Sequence, residues 1–234
     1  RALKKHLFSP LGTLIEEPLR LFVDDMRDTA QSYSILSVIG KGSNRLSEIA
    51  ARLEKPATQL SGPLEKLVQL GYIEREWPFG DPLMHFYFSF IVPNRSLIEM
   101  NKGEVVLERI KQQFSYHMGI WWEKLCRQAI SGATVNGITF GPARRWWGSI
   151  SKSEQLEIDV VAESTDGKTI LLGECKWSGK ENTQKLIEEL EIKAQKLPFT
   201  RGKKIIICLF LKTNPNQPQK NKVFLPDEVI GMLK

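Results

Sequence analysis

No apolar run in this chain reaches the roughly 18–20 residues that a membrane-spanning helix needs, and no signal-peptide pattern opens it. Cysteine is scarce. Cys126, Cys175 and Cys208 have no metal-ligand spacing and cannot all pair, which excludes a disulfide framework and points to a reducing, cytoplasmic setting. The three histidines, His6, His85 and His117, stand apart from one another and read as structural. No G-x-x-x-x-G-K-[ST] occurs, so these 234 residues carry no P-loop ATP site. Acid is missing from one stretch: Arg201 to Lys222 holds six Lys or Arg and no Asp or Glu. With a net charge of +6, that stretch suits a phosphate backbone, although a solvated tail has the same composition. What remains is an ordinary globular composition, 41% hydrophobic and 26% charged, long enough for one large or two small domains.

The densest chemical signal lies between Ile158 and Lys176. Two apolar runs flank Asp166-Gly167, and Asp-Gly in that context predicts a hairpin with a two-residue primed turn, both central residues at positive φ. Counting outward pairs Thr165 with Lys168, Glu163 with Ile170, Val161 with Leu172 and Asp159 with Glu174. Two carboxylates then face each other on one sheet surface, their Cβ atoms about 5 Å apart. Lys176 follows Glu174 by two and projects from the same face. Like charges so opposed destabilise a sheet. A divalent cation between them removes the penalty, and all-oxygen ligands suit magnesium or manganese. The lysine can orient a water or steady developing negative charge. A cross-strand ion cluster on a surface is the simpler alternative. The neighbours Ile158, Val160, Val161, Ala162, Ile170, Leu171 and Leu172 are apolar, however, and charges on a strand buried on both faces need a partner or a task.

The pattern D-x14-E-C-K resembles the PD-(D/E)XK nuclease superfamily, in which the Asp and Glu hold the metal and the Lys follows the Glu by two. The surrounding periodicity suits that resemblance. Gly103 to Ile130 reads as a long helix ended by Gly132, Asn136 and Gly137, and Trp146 to Ile150 as a first strand. The hairpin supplies two more strands. Thr183 to Leu197 reads as an amphipathic helix with Leu186, Ile187, Leu190, Ala194 and Leu197 inward, followed by Pro198. Ile205 to Leu211 reads as a buried fourth strand, parallel to the third because a helix crosses between them. The resemblance implies Asp159, Glu174 and the Cys175 carbonyl as metal ligands, Lys176 as the residue that positions the attacking water, and Glu123 on the first helix as an auxiliary acid. Glu123 reads equally well as an exposed helix charge. Trp121, Trp122, Trp146 and Trp147 are expected in packing. Trp177 and Lys180, beside Lys176, are candidate substrate contacts.

Upstream, Ser34–Gly40, Leu46–Leu53 and Ala57–Leu70 read as three short helices, the last ended by Gly71 in a left-handed conformation, and Gly71–Arg75 as a strand. That is the order of a winged helix-turn-helix. Its third helix would present Thr58, Gln59, Ser61, Glu65 and Gln69, with Lys55 and Lys66 nearby. That surface is polar and only mildly basic, so DNA binding and protein docking both suit it. Asp81-Pro82 starts a further helix with Asp as cap and Pro in the first turn. Leu83 to Val92 is apolar almost all round, its aromatics suited to join two domains, and Pro93-Asn94 should end it.

Leu7-Phe8-Ser9-Pro10-Leu11, Glu16-Glu17-Pro18, Tyr33-Ser34-Ile35-Leu36, Leu46-Ser47-Glu48-Ile49-Ala50, Gly71-Tyr72-Ile73, Asp81-Pro82-Leu83, Pro93-Asn94, Arg145-Trp146-Trp147 and Glu157-Ile158-Asp159-Val160-Val161 follow one another in this order. Together they resemble the C-terminal half of archaeal-type AAA-family ATPases, which carry a domain of unknown function after a winged helix. The resemblance implies an ATPase module upstream in cis, with ATP bound there and not here. Residues 1–28 would be the linker from that module, 29–100 the winged helix with its apolar helix, and 101–234 the nuclease-like domain. Two stretches depart from that family: Glu76-Trp77-Pro78-Phe79-Gly80 is short for a wing, and Gly119-Ile120-Trp121-Trp122-Glu123 differs from the usual aromatic-then-Glu pattern. The expected fold is therefore α/β (α+β overall): a winged helix-turn-helix followed by a restriction-endonuclease-like αβββαβ domain. The expected function is a DNA-interacting, magnesium- or manganese-dependent phosphodiesterase attached to an ATPase. The alternative is a non-catalytic DNA-binding or protein-docking module. DNA is the expected partner, a membrane is not, and oligomeric state is open.

Overall fold

The structure, a computed structural model, describes residues 8, 17–25, 29–76, 78–151, 154–179, 181–215 and 221–233. His6, Trp77, Lys180 and most of residues 1–28 lie outside the described residues. The chain divides into two compact units, residues 1–113 and 114–234.

In the first unit, α1 (Glu17–Asp25), α2 (Thr29–Gly40), α3 (Leu46–Leu53) and α4 (Ala57–Gln69) precede a tight loop. Ile35, Leu36, Ile49, Leu60, Leu64 and Leu67 are fully buried, so α2, α3 and α4 close around one apolar centre. Gly71 ends α4 at φ +78°, as its place after the last apolar turn predicts. The expected strand at Gly71–Arg75 shrinks to a single antiparallel bridge, Ile73 to Phe79. Between them Glu74 N–H donates to the Pro78 carbonyl at 2.8 Å, and Gly80 N–H to that of Tyr72 at 2.9 Å. So short a connection cannot hold a ladder, and the wing is a tight turn.

Asp81 caps the next helix, α5 (Pro82–Phe86), by accepting the Met84 N–H at 2.8 Å. Pro93-Asn94 does not end this segment. The chain passes through a π-helical turn (Tyr87–Ile91) and a 3-10 turn (Val92–Asn94) into α6 (Arg95–Glu99). Pro93 falls in the first turn of the 3-10 segment, where a missing N–H costs no bond. The aromatics of this segment pack inside the first unit: Phe88 lies 5.2 Å from Tyr33 and 6.3 Å from Phe22, ring centre to ring centre.

α7 (Gly103–Ile130) carries the boundary between the units. In the second unit follow a small hairpin, β1 (Thr134–Val135) and β2 (Ile138–Thr139), and then β3 (Arg144–Ser149), β4 (Gln155–Glu163), β5 (Thr169–Lys176), α8 (Thr183–Lys196), β6 (Lys204–Leu211), β7 (Lys222–Phe224) and α9 (Pro226–Met232). Among the described residues one sheet has the order β3-β4-β5-β6-β7, antiparallel from β3 to β5 and parallel from β5 to β7. Helix, three strands, helix and parallel strand follow in the expected order, making the fold α+β. The hairpin β1–β2, the edge strand β7 and α9 were not anticipated. β1, β2 and β7 are two or three residues long, too short to show a period.

The sheet separates two apolar layers. Trp122, Cys126, Val160, Leu171, Cys175, Cys208 and Phe210 share the layer on one face. Ile158, Leu172, Leu186, Leu190, Ile207 and Leu209 share that on the other. His117 is buried on α7, and burial pushes its pKa down to about 4. The expectation of packed tryptophans fails at one position: Trp147 on the edge strand β3 is 70% exposed.

Gly173 sits where β5 passes between Val160 and Phe210. A Cβ there would stand 3.0 Å from the Val160 Cβ and 2.6 Å from the Phe210 ring. Gly173→Ala should therefore destabilise the protein by about 1–3 kcal/mol through overpacking. Calorimetry should show a lower unfolding midpoint, and an unchanged midpoint would mean that the Phe210 ring turns aside freely.

Candidate functional site

The hairpin register is the expected one, but its turn and its end differ. Val160 pairs with Gly173, Val161 with Leu172, Ala162 with Leu171 and Glu163 with Ile170. Asp166-Gly167 does not form a two-residue primed turn, since only Gly167 has positive φ, +70°. A four-residue loop, Thr165–Lys168, closes on the Ser164 N–H to Thr169 carbonyl bond of 2.9 Å. Side chains explain the longer loop. The Ser164 hydroxyl donates to Asp166 Oδ1 at 2.6 Å and accepts the Thr169 N–H at 2.9 Å, while Asp166 Oδ1 also accepts the Lys168 N–H. The primed-turn geometry appears instead at Asn136-Gly137, where φ is +51° and +77° and Val135 pairs with Ile138.

Asp159 does not stand in a regular rung opposite Glu174. The β4–β5 ladder stops at Val160–Gly173. Against β3, the register of β4 shifts by one residue, from Arg144–Val161 to Trp146–Ile158. Two residues of β4, Asp159 and Val160, thus oppose Arg145 alone, which is a β-bulge. The bulge breaks the alternation of faces: Ile158 joins one apolar layer and Val160 the other. Asp159 lies between them, and its Oδ2 accepts the Cys175 N–H at 2.8 Å. A side chain replaces the rung that the ladder lacks.

Around this carboxylate gather the other expected residues of the second unit. Glu174 and Lys176 alternate on the face that α8 covers, with Lys176 Nζ 2.6 Å from Glu174 Oε1. Glu123 projects from α7 and lies 3.6 Å from Arg127. Arg127 also donates to the Asp159 carbonyl at 2.9 Å, tying α7 to the bulge. Burial raises the Asp159 pKa to about 6, and the Glu174 charge adds to it, against the pull of the Cys175 N–H and Lys176. Burial raises Glu123 as well, opposed by Arg127 and Arg145. For Lys176, burial alone would lower the pKa, but the Glu174 contact outweighs it and the net shift is upward.

The remaining expected contacts are dispersed. Trp177 is half-buried, its ring 5.2 Å from that of Trp122, with Lys212 Nζ 5.6 Å from its centre. Beside it opens a polar cleft of about 460 Å³ lined in part by Lys176, Gly179, Thr183, Lys212, Thr213 and Asn214. Lys55, Thr58, Gln59 and Lys66 are exposed at and along α4 in the first unit. Three site residues were missed. Arg127 is four residues after Glu123, a helical pair legible in sequence. Lys193 reaches Glu174 Oε2 at 3.4 Å; it stands one heptad after Leu186, a charge beside an apolar stripe. Arg145 pairs with Glu157 at 2.5 Å, a cross-strand contact that requires the bulged register.

The donor set suits a hard divalent cation in type: carboxylate oxygens on Asp159 and Glu174, no thiolate or imidazole. Burial and, after it, the Glu174 charge oppose ionisation of Asp159, and a bound cation would offset both. Among the described residues no group of three or more His, Cys, Asp or Glu is placed to hold a metal, so further ligands would be backbone or water oxygens. Both Glu174 oxygens are in lysine contacts that a cation would have to displace.

A family profile described as archaeal and bacterial proteins of unknown function (DUF234) matches residues 87–187. The uncharacterized protein MJECL04 of Methanocaldococcus jannaschii is 30% identical over 159 residues, covering 61% of this chain and 35% of the relative. The matched region thus spans about a third of that relative's length. Among solved structures, Can2 from Sulfobacillus thermosulfidooxidans in complex with cyclic tetra-adenylate is similar at 14% identity and a TM-score of 0.33, over 94% of this chain and 55% of that one. Protein VC1899 from Vibrio cholerae is similar at 11% identity and a TM-score of 0.31, over 100% and 55%. Overlaps this loose carry no argument about activity. Among the described residues no helix is long and apolar enough to cross a membrane.

A raised carboxyl pKa has a signed consequence. The folded state binds the Asp159 proton more tightly than the unfolded one, so ionisation penalises folding above about pH 6 and the penalty fades as pH falls from about 6 towards 3.8. Without metal, Asp159→Asn should be more stable than wild type at pH 8 by about 1–3 kcal/mol, with the difference closing near pH 4. Denaturant unfolding in EDTA measures this. Parallel stability curves across that range would show that Asp159 ionises normally.

Proposed function

We propose that the second unit is a metal-dependent phosphodiesterase acting on DNA. The observation that carries this reading is the convergence of Asp159, Glu174 and Lys176 where β4 and β5 part. A cation held by Asp159 and Glu174, with the Cys175 carbonyl as a further oxygen, would supply Lewis acidity at the scissile phosphate and lower the pKa of a water. The chain's own residues do the rest. The Cys175 N–H and the bulge aim Asp159. Lys176, which lines the polar cleft, would position the attacking water and offset charge developing on the phosphate. Glu123, held by Arg127, would pass a proton. Trp177 would meet the substrate beside the cleft, and Lys180, outside the described residues, is a candidate contact by its place in the sequence.

The exposed polar surface of α4, with Lys55, Thr58, Gln59 and Lys66, would hold duplex DNA through its helix and little through its short wing. An upstream ATPase that gates the site in cis is part of the proposal and rests on the family resemblance alone. One observation favours the non-catalytic alternative: without a cation, Glu174 is already satisfied by two lysines.

A cleavage assay on single-stranded, duplex and branched DNA with magnesium or manganese separates the two. Wild type should cleave. Glu174→Ala and Lys176→Ala should each lose about 100-fold or more in rate while keeping DNA affinity within a few-fold, because other basic residues dominate binding. A wild type that cuts none of these substrates, or variants that still cut, would leave the gripping module as the function.

A further inference from the structure

α8 lays Leu186, Ile187, Leu190 and Ala194 on the sheet, and Lys193 sits on the flank of that stripe. Side chains of a helix lean towards its N-terminus. Here that direction runs towards the C-terminal end of β5, and the Lys193 ammonium ends 3.4 Å from Glu174 Oε2. Lys176 holds the other oxygen at the shorter distance of 2.6 Å. The Glu174 side chain is 13% exposed and that of Lys193 23%, so their contact is partly shielded from solvent, unlike a rim pair. One carboxylate thus has two ammonium groups from two different elements.

Two ammonium groups occupy both oxygens of the carboxylate that the proposed cation must also bind. The longer contact is the weaker one and yields first. Once Glu174 turns to a cation, Lys193 keeps its tether on α8 and loses that contact; a phosphodiester carried by the cation then competes for it with the exposed Glu189 four residues earlier on the helix.

We propose that Lys193 is a two-state counterion: it neutralises Glu174 in the resting protein and transfers to a substrate phosphate when a divalent cation occupies Glu174. This rests on the metal-dependent reading above and adds a residue that the Asp/Glu/Lys pattern does not contain. It gives Lys193 opposite effects on the two ligands. As a competitor it weakens cation binding, and as a phosphate contact it strengthens DNA binding.

The test uses the full chain. Thermal unfolding across a manganese chloride titration reads cation binding. Fluorescence anisotropy of a labelled DNA oligomer, with calcium in place of manganese to limit cleavage, reads DNA binding. Lys193→Met should reach half its manganese-induced stabilisation at about 3–10-fold lower concentration. Its DNA affinity should fall about 3–10-fold, with a salt slope reduced by about one. Lys193→Arg should stay within about 3-fold of wild type in both. If Lys193→Met fails to fold by circular dichroism, Lys193→Gln takes its place. An unchanged manganese midpoint, or an unchanged DNA affinity, overturns the proposal when wild type responds to manganese. A wild type whose melting ignores manganese strikes down the metal-dependent reading and this inference together, and that failure is seen before any variant is made.

Discussion

One extra residue in β4 opposite Arg145 sets the geometry on which the candidate site depends. Without the bulge, strict alternation would carry every second β4 residue onto the same sheet face, and the Asp159 side chain could not sit between two apolar layers. With it, the carboxylate turns in its strand and accepts the Cys175 amide that the interrupted ladder leaves over. The hydrogen bond holds an acid in a buried position that would otherwise cost several kcal/mol to ionise. It also marks where β4 and β5 separate, beside Glu174 and Lys176.

Everything else at the site answers that buried charge. Arg127 donates to the backbone carbonyl of Asp159 and pairs with Glu123, so α7 is fastened to the bulge by a charged group. α8 contributes Lys193 from the other face. Acids and bases thus come from three strands and two helices of one layered unit, an arrangement that fixes their spacing better than loops do. Metal-free, the centre is balanced: one acid with a raised pKa, another shared by two lysines. A divalent cation would change which of these groups are free to meet substrate.

The first unit shows how strongly a short connection constrains local structure. Its helix-turn-helix has a well-formed apolar centre, yet the turn between Ile73 and Phe79 admits one bridge and no ladder. A module built this way presents its third helix and little else. The expected strand was misread because Tyr72-Ile73 looks like the start of one. Whether a strand forms depends on a partner segment long enough to pair with it, and Glu74–Pro78 leaves no room.

Much of the architecture was legible from periodicity and punctuation. The stripe of Leu186, Ile187, Leu190 and Ala194 located α8, Gly71 located the end of α4, and the apolar runs around Asp166-Gly167 set the hairpin register, because each signal acts over neighbours in the chain. Turn type was less legible: Ser164 competes for the backbone near Asp166-Gly167 and lengthens the loop, while the quieter Asn136-Gly137 makes the primed turn. The residues Asp159, Glu174 and Lys176 could be picked out by spacing alone. That Asp159 is bulged out of its rung, that Lys193 reaches Glu174 from nineteen positions away, and that Trp147 lies open while Trp122 is buried were decided by tertiary structure. Spacing records distance along the chain, whereas a bulge, a cross-element ion pair and a ring's exposure depend on which distant segments the folded sheet brings alongside.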